Sequence, residues 1–286
     1  MNNKTKRQQT AKRFSKSAQH YDQVAHLQHE VSRRLIERLD FVQIDPKVIL
    51  DVGCGTGSAL EPLQQRYPKA QVIGLDLAEG MTRLALLRHD CDLVQADMKQ
   101  LPFADQSVQL IFSNLALHWE TDQAVLFAEL HRVLAPGGLL VFTVPGPDTL
   151  CELRESWRAV DSHPHVNTFI DMHDLGDLLV RCRFAEPILD VDYFSLHYSE
   201  ALELMRELKT LGSHVTQIDR KKGLISPEKL KACLDHYEQY RIDDKIPATY
   251  EIIYGHAWGS EPVLSSTDSE GNIRISVDQI RRSSGF

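Results

Sequence analysis

The ten residues VILDVGCGTG, at positions 48–57, decide the fold of this chain. They begin as a short aliphatic run that is typical of a buried parallel strand, and this run contains one acid, Asp51. Three glycines then occupy alternate positions, at Gly53, Gly55 and Gly57. Because glycine tolerates positive φ and lets the backbone approach a ligand closely, the stretch predicts a strand-to-helix turn that presses against a flat, polar molecule.

A second predicted strand, residues 71–75, ends in Asp76. This acid comes about twenty residues after the last glycine, where a carboxylate can reach a ribose diol. The glycine spacing differs from the GxGxxG fingerprint of dinucleotide sites, and the turn has no lysine to hold phosphates. A nucleoside without phosphates therefore suits the turn better. The alternative is a tight turn in an ordinary α/β domain, and the position of Asp76 favours the first interpretation.

Strand and helix signals alternate through the first half of the chain, which predicts a doubly wound, mostly parallel sheet. Polar side chains stand at the carboxyl ends of four predicted strands: Asp51, Asp76, Asp97 and Asn114. Ligands of such sheets bind outside the carboxyl ends, where the winding reverses. We therefore expect the ligand over strands one and four.

Five segments, VILDVGCGTG, GLDLAEGM, QADMKQLPFAD, SNLALHW and VLAPGGLLVFTVPGP, resemble the class I S-adenosylmethionine-dependent methyltransferases. They follow the order of that family and cover about half the chain. The resemblance implies a Rossmann-like α/β fold with seven strands, and S-adenosylmethionine as cofactor with S-adenosylhomocysteine as its product. It implies that the glycine loop holds the methionine part, Asp76 the ribose, and Asp97 with Met98 the adenine. The implied cofactor-binding set is Asp51, Gly53, Gly55, Gly57, Asp76, Leu77, Met81, Asp97, Met98 and Asn114.

Net charge, apolar runs and cysteine spacing argue against several classes of protein. The net charge of −8 argues against general nucleic-acid binding, which requires a basic domain. No apolar run has the length of a membrane span. The five cysteines are scattered and form no CxxC pair, so we expect reduced thiols, a cytoplasmic protein and no metal site. We also expect a monomer.

The first 21 residues contain lysines and arginines but no acid before Asp22. A mitochondrial transit peptide has this composition. Residues 14–22, however, resemble the segment that precedes a methyltransferase core, in which an aromatic residue closes over the cofactor. This resemblance implies that role for Tyr21, and Trp119 is a candidate wall beside the reacting methyl group. Ordinary packing is the alternative for both.

The second half extends beyond a minimal methyltransferase. We expect helices at 149–160, 172–181, 199–211 and 226–240, a sixth strand at 188–196 and a final strand at 248–258. This pattern predicts a helical segment leading into the core (1–40), the cofactor-binding core (41–198), a helical lid (199–245), the final core strand (246–259) and a loose tail (260–286).

Three later segments, AVDSHPHVNTFIDMHDLGD, ELMRELKTLGSHVT and PATYEIIYGHAW, resemble the malonyl-acyl carrier protein methyltransferase family of biotin synthesis. The resemblance implies methylation of the free carboxylate of a malonyl group on acyl carrier protein, or on coenzyme A. A second branch, the complex I assembly factors that hydroxylate an arginine, shares the core and the PATY-type ending. Methylation of a small free metabolite is a third possibility.

A malonyl carboxylate is already ionised at neutral pH, so the reaction needs a group that holds the anion rather than a base. Arg206 and Lys209, on one face of the predicted 199–211 helix, are the first candidates. The alternative is a solvated basic face. The predicted catalytic set is Arg206, Lys209, Tyr21, Trp119, Arg154 and Asn167, with His165 as a further pocket residue. Arg33, Arg34, Lys221 and Lys222 are candidates for a basic patch that binds the acidic carrier protein.

Overall fold

A seven-stranded sheet forms the centre of the protein, in a computed structural model that describes residues 3–213, 225–260, 266–267 and 273–274. The strands are β1 Val48–Val52, β2 Gln71–Asp76, β3 Asp92–Gln95, β4 Val108–Asn114, β5 Leu134–Pro145, β6 Phe184–Tyr198 and β7 Ile246–Gly259. Their order is β3-β2-β1-β4-β5-β7-β6, and β7 runs antiparallel to both of its neighbours. The predicted doubly wound, mostly parallel sheet is therefore confirmed, and its winding reverses between β1 and β4.

Helices cover both faces of the sheet. They are α1 Asn3–Tyr21, α2 His26–Arg38, α3 Leu60–Arg66, α4 Glu79–Arg88, α5 Gln123–Val133, α6 Cys151–Arg158, α7 Met172–Arg181, α8 Ala201–Thr210 and α9 Pro227–Tyr237. One hydrophobic core joins the sheet to residues of α2, α3, α6, α8 and α9, and a second joins it to residues of α5 and α7. Since α2 contributes Leu27, Val31 and Leu35 to the first core, it packs as part of the main body.

Strand β5 contains a segment whose sequence is typical of a turn. The residues Ala-Pro-Gly-Gly at 135–138 favour a turn in sequence, but they lie inside the strand. Leu134 pairs with Val108, and the pairing then shifts register before Leu139 meets Leu110. Gly137 has φ +69°, which accommodates this irregularity. The turn signal of Pro and Gly therefore marks a bulge in the strand.

Two helices, α8 and α9, lie between β6 and β7, where the sequence predicts a helical insertion. The predicted tail lies outside the described residues, apart from Ser260 and two short paired strands, β8 Ser266–Thr267 and β9 Ile273–Arg274. Within the described ranges, no helix is both long and apolar enough to cross a membrane. The same ranges contain no cluster of three His, Cys, Asp or Glu side chains placed to hold a metal ion.

Helix α1 lies tightly on α4. The N–H of Gly80, in the first turn of α4, donates a hydrogen bond to Ser15 Oγ at 3.1 Å. A Cβ at position 80 would overlap the backbone of Ser15. Ala18 and Met81 are buried in the same contact. Close approach of the two helices therefore requires glycine at position 80.

We predict that Gly80→Ala pushes α1 away from α4, because a backbone-to-Cβ overlap cannot be relieved by a side-chain rotation. The variant should have a lower melting temperature and faster proteolysis within residues 3–21. Gly176→Ala in α7 is the matched control, since its Cβ would lie at an ordinary 3.4 Å from Leu189; it should gain up to about 1 kcal/mol in helix propensity. A Gly80→Ala protein as stable and as protease-resistant as the wild type would contradict this account.

Candidate active site

The glycine loop after β1 has the geometry that its sequence predicts. Gly53 and Gly55 have φ values of +77° and +56° and both line a cavity at the carboxyl end of the sheet. A Cβ at Gly53 would overlap Ala116, whereas Gly55 faces open space. The loop therefore brings bare backbone to the cavity. Gly57 does not line the cavity and packs against Leu60, in the first turn of α3.

Two carboxylates lie at this loop. Asp76, at the end of β2, accepts hydrogen bonds from the backbone N–H groups of Gly55 (3.0 Å) and Ala78 (2.7 Å). Burial raises the pKa of Asp76, although these hydrogen bonds act in the opposite direction. Asp51 is 2% exposed, and its Oδ2 has no hydrogen-bond partner among the described residues. Burial, with the charge of Asp76 as a second cause, raises the pKa of Asp51 to about 8.

We call this space the cofactor cavity. The structure brings ten of the predicted site residues to its wall: Tyr21, Gly53, Gly55, Asp76, Leu77, Met81, Asp97, Met98, Asn114 and Trp119. Asp51 is not among the lining residues. The Asn114 amide donates to Gln28 O at 2.9 Å and accepts from Thr143 Oγ1 at 2.8 Å, so it also ties α2 and β5 together.

Helix α1 supplies cavity residues that the sequence analysis does not identify. Arg7, Thr10 and Ala11 line the cofactor cavity together with Phe14. Arg7 forms an ion pair with Asp97. The first 21 residues are basic and contain no acid, so their cations have to pair with acids elsewhere in the chain. Asp97, the acid that Arg7 contacts, lies about ninety residues away in sequence.

A second cavity, which we call the apolar cavity, adjoins the first. The two share Phe14, Tyr21, Leu115 and Trp119 in their walls. The remaining lining residues are Leu27, Gln28, His118, Pro145, Thr149, Leu150, Asn167, Phe169, Leu208, Leu211, Ser213, Tyr250 and Ile252. Among these described lining residues there is no lysine or arginine. The predicted pocket residue Asn167 is present, and Phe14 contacts Trp119 edge-on at 5.2 Å between ring centroids.

Arg206 and Lys209 do not reach either cavity. Both are exposed, on the solvent side of α8. The opposite side of the helix carries Leu204, which is buried, and Leu208, which lines the apolar cavity. Helical periodicity turns the leucines inward and the two cations outward, so the structure does not bring this predicted pair to the described cavities. Their role in holding the malonyl carboxylate stays a prediction.

Arg154 and His165 lie near the apolar cavity but outside its wall. Arg154 donates a hydrogen bond to the backbone oxygen of Thr149 at 2.6 Å, and within the described ranges its buried Nε has no partner. The His165 ring stacks on Trp157 at 3.9 Å between centroids and lies 2.9 Å from Asp161 Oδ1. These contacts hold the His165 side chain outside the wall of the apolar cavity.

The fold and the site define a class I S-adenosylmethionine-dependent methyltransferase. The residues fit this cofactor: an acid stands at the end of β2 for the ribose, bare backbone faces the cavity at Gly55, and Leu77 with Met81 offers an apolar wall. Residues 50–142 match the family described as "Methyltransferase domain". The YcgJ protein of Bacillus subtilis has a similar fold, with a TM-score of 0.56 at 16% identity over 82% of this chain and 99% of that one.

The chain is much more similar in sequence to one narrower group of methyltransferases. The chain is 44% identical to the malonyl-[acyl-carrier protein] O-methyltransferase of Gallionella capsiferriformans, over 87% of this chain and 89% of that protein. It is 41% identical to the malonyl-[acyl-carrier protein] O-methyltransferase 1 of Coxiella burnetii, over 93% of each. The chain belongs to the malonyl-[acyl-carrier protein] O-methyltransferase family.

Replacing Asp76 tests the cofactor site. Asp76→Ala removes the carboxylate that we predict accepts from two ribose hydroxyls, and charged hydrogen bonds of this kind contribute roughly 2–4 kcal/mol. We predict that calorimetry will show a loss of one to several decades in affinity for S-adenosylmethionine. Asp92→Ala, at the exposed start of β3, is the control and should bind as the wild type does. Unchanged binding by Asp76→Ala would mean that the glycine loop serves another ligand.

Proposed function

We propose that this protein transfers the methyl group of S-adenosylmethionine to the free carboxylate of a malonyl group carried on acyl carrier protein. The observation that carries the proposal is the apolar cavity, which adjoins the cofactor cavity through a shared aromatic wall. A short acyl group held there lies next to the cofactor. The family to which the chain belongs supports the choice of malonyl as that group.

The chemistry matches the residues at the shared wall. When bound, the cofactor supplies an electrophilic methyl carbon on a sulfonium sulfur; a carboxylate oxygen forms the new bond to that carbon, and the thioether leaves. The nucleophile is ionised before it binds, so no side chain has to remove a proton. The protein's task is to exclude water and to align the two groups. Phe14, Trp119 and Tyr21 form the wall that does so.

Tyr21 fits an orienting role and not that of a base. Burial raises the pKa of its phenol well above the usual value, and the nearby charges of Asp22 and Asp76 act in the same direction. The hydroxyl therefore keeps its proton throughout the neutral range. In that form it can donate a hydrogen bond to an anionic acceptor.

The carrier protein requires a docking surface outside the cavities. Arg33 and Arg34, two of the residues predicted for this surface, are already engaged: both donate hydrogen bonds to Glu30 at 2.8 Å, and Arg34 also pairs with Asp192 at 3.2 Å. These acids neutralise much of their charge. The other two candidates, Lys221 and Lys222, lie outside the described residues.

Exposed cations on α1 and α8 are the candidates in their place. Lys12 and Lys16 are exposed on α1, and Arg206 and Lys209 are exposed on α8. In the part of the chain that the structure describes, none of these four forms an ion pair. The two helices meet where Gly212 approaches Ser17, beside the apolar cavity. We propose that these four cations bind the acidic carrier protein.

The activity is tested with methyl-labelled cofactor and purified malonyl-acyl carrier protein. We expect a base-labile methyl ester on the malonyl group and none on an acetyl-carrier control, which has no free carboxylate. If a small free acid is labelled, and the carrier protein makes no difference to its labelling, methylation of a metabolite is favoured. Absence of transfer to all of these acceptors, with the cofactor bound, would favour a non-methylating role such as that of the assembly-factor branch.

A double variant separates docking from catalysis. We predict that Arg206→Ala with Lys209→Ala raises KM for malonyl-acyl carrier protein by roughly tenfold and changes turnover of malonyl-coenzyme A much less. Raising the salt concentration should likewise slow the carrier reaction more than the coenzyme A reaction. Arg33→Ala with Arg34→Ala is the control pair, since acids already engage those cations. Equal losses on both substrates would instead support the first expectation, that Arg206 and Lys209 hold the malonyl carboxylate.

A further inference from the structure

We propose that His118 binds the malonyl carboxylate, by donating a hydrogen bond from its imidazole to the oxygen that does not attack the methyl group. This inference rests on the proposed function and names a residue that provides acceptor recognition. No feature of the sequence alone distinguishes this histidine from a packing residue beside Trp119.

A carboxylate in the apolar cavity needs several hydrogen-bond donors, and the Tyr21 hydroxyl at the shared wall can supply one of them. A carboxylate that leaves water for an apolar site costs several kcal/mol unless it finds hydrogen-bond donors. The hydroxyl of Thr149 already has hydrogen-bond partners, since its Oγ1 donates to Glu251 O at 2.8 Å and accepts from Glu251 N at 3.2 Å. The Ser213 hydroxyl donates to Leu208 O at 3.2 Å. Asn167 also has an interaction within the protein.

His118 lines the apolar cavity. It lies in a short 3-10 turn that follows β4, next to Trp119. Its Nδ1 is buried and has no hydrogen-bond partner in the described structure. The ring is held by aromatic neighbours: Trp119 at 4.8 Å and Phe169, edge-on, at 5.7 Å between centroids. Buried polar atoms without a partner are rare. Since His118 lines a ligand cavity, we infer that the partner comes with the ligand.

The charge state of the ring suits a carboxylate that must react. Burial lowers the pKa of His118 to about 3, so the imidazole is neutral at physiological pH and keeps one N–H donor. A neutral donor holds an anion by a charge-assisted hydrogen bond. It draws less electron density from the carboxylate than a guanidinium would, which leaves the second oxygen nucleophilic. The methyl ester product is uncharged and accepts this hydrogen bond more weakly, so His118 favours the acid over the ester.

Two substitutions separate this role from packing. His118→Gln keeps a neutral N–H donor, whereas His118→Phe keeps a flat ring for the contacts with Trp119 and Phe169 but has no donor. We expect His118→Phe to lower kcat/KM for malonyl-acyl carrier protein by about 10–100-fold, the range for one hydrogen bond to a charged group, and His118→Gln to lose much less. Both should bind S-adenosylhomocysteine with wild-type affinity, which verifies the fold and the cofactor site.

The decisive measurement is the preference for acid over ester. Competition between malonyl-carrier and its methyl ester should show a wild-type preference for the acid that persists in His118→Gln and falls by the same 10–100-fold factor in His118→Phe. A His118→Phe protein that retains the wild-type preference would overturn the inference. If His118→Phe does not fold, His118→Leu provides the same contrast with His118→Gln. A wild-type protein that never methylates malonyl-carrier would refute the proposed function instead, so the two failures are distinguishable.

Discussion

The active site depends on the hydrogen bonds that the Asp76 carboxylate accepts from the backbone. They join the loop after β1, through Gly55, to Ala78, the residue that immediately precedes α4. The N–H of Gly53 donates to Leu75 O at 2.7 Å and so fastens the same loop to the end of β2. Because two neighbouring strands are tied at their carboxyl ends, the loop holds positive-φ glycines against an open cavity without collapsing into it.

This arrangement places two acids in a poorly solvated region, and burial raises the pKa of each. A carboxylate that lacks water and partners is stabilised by a positively charged neighbour. S-adenosylmethionine carries such charge on its sulfonium and its ammonium group, and the demethylated product has lost the first of these. The site therefore matches the charge of the cofactor as well as its shape. The apolar cavity differs, since its described wall has no permanently charged side chain.

The sequence predicts the parts of the site that are encoded locally. The glycine spacing and the acid at position 76 belong to one strand-loop-strand unit, so their order along the chain fixes their geometry. The role of Arg7 depends on a helix that folds back over Asp97 from far away in sequence, which no local pattern encodes. The position of Arg206 and Lys209 is a different case. The same helix has an apolar side, with Leu204 and Leu208, and comparison of the two sides would have placed the cations outside.

Helix α1 forms part of the wall of both cavities, through Phe14 and Tyr21. A displacement of α1 would therefore change access to both cavities at once. If release of the spent donor required such a displacement, the same movement would open the compartment of the finished ester, and departure of the two products would be one kinetic event rather than two. A helix that stayed in place between such events would shield the reactive sulfonium from bulk water.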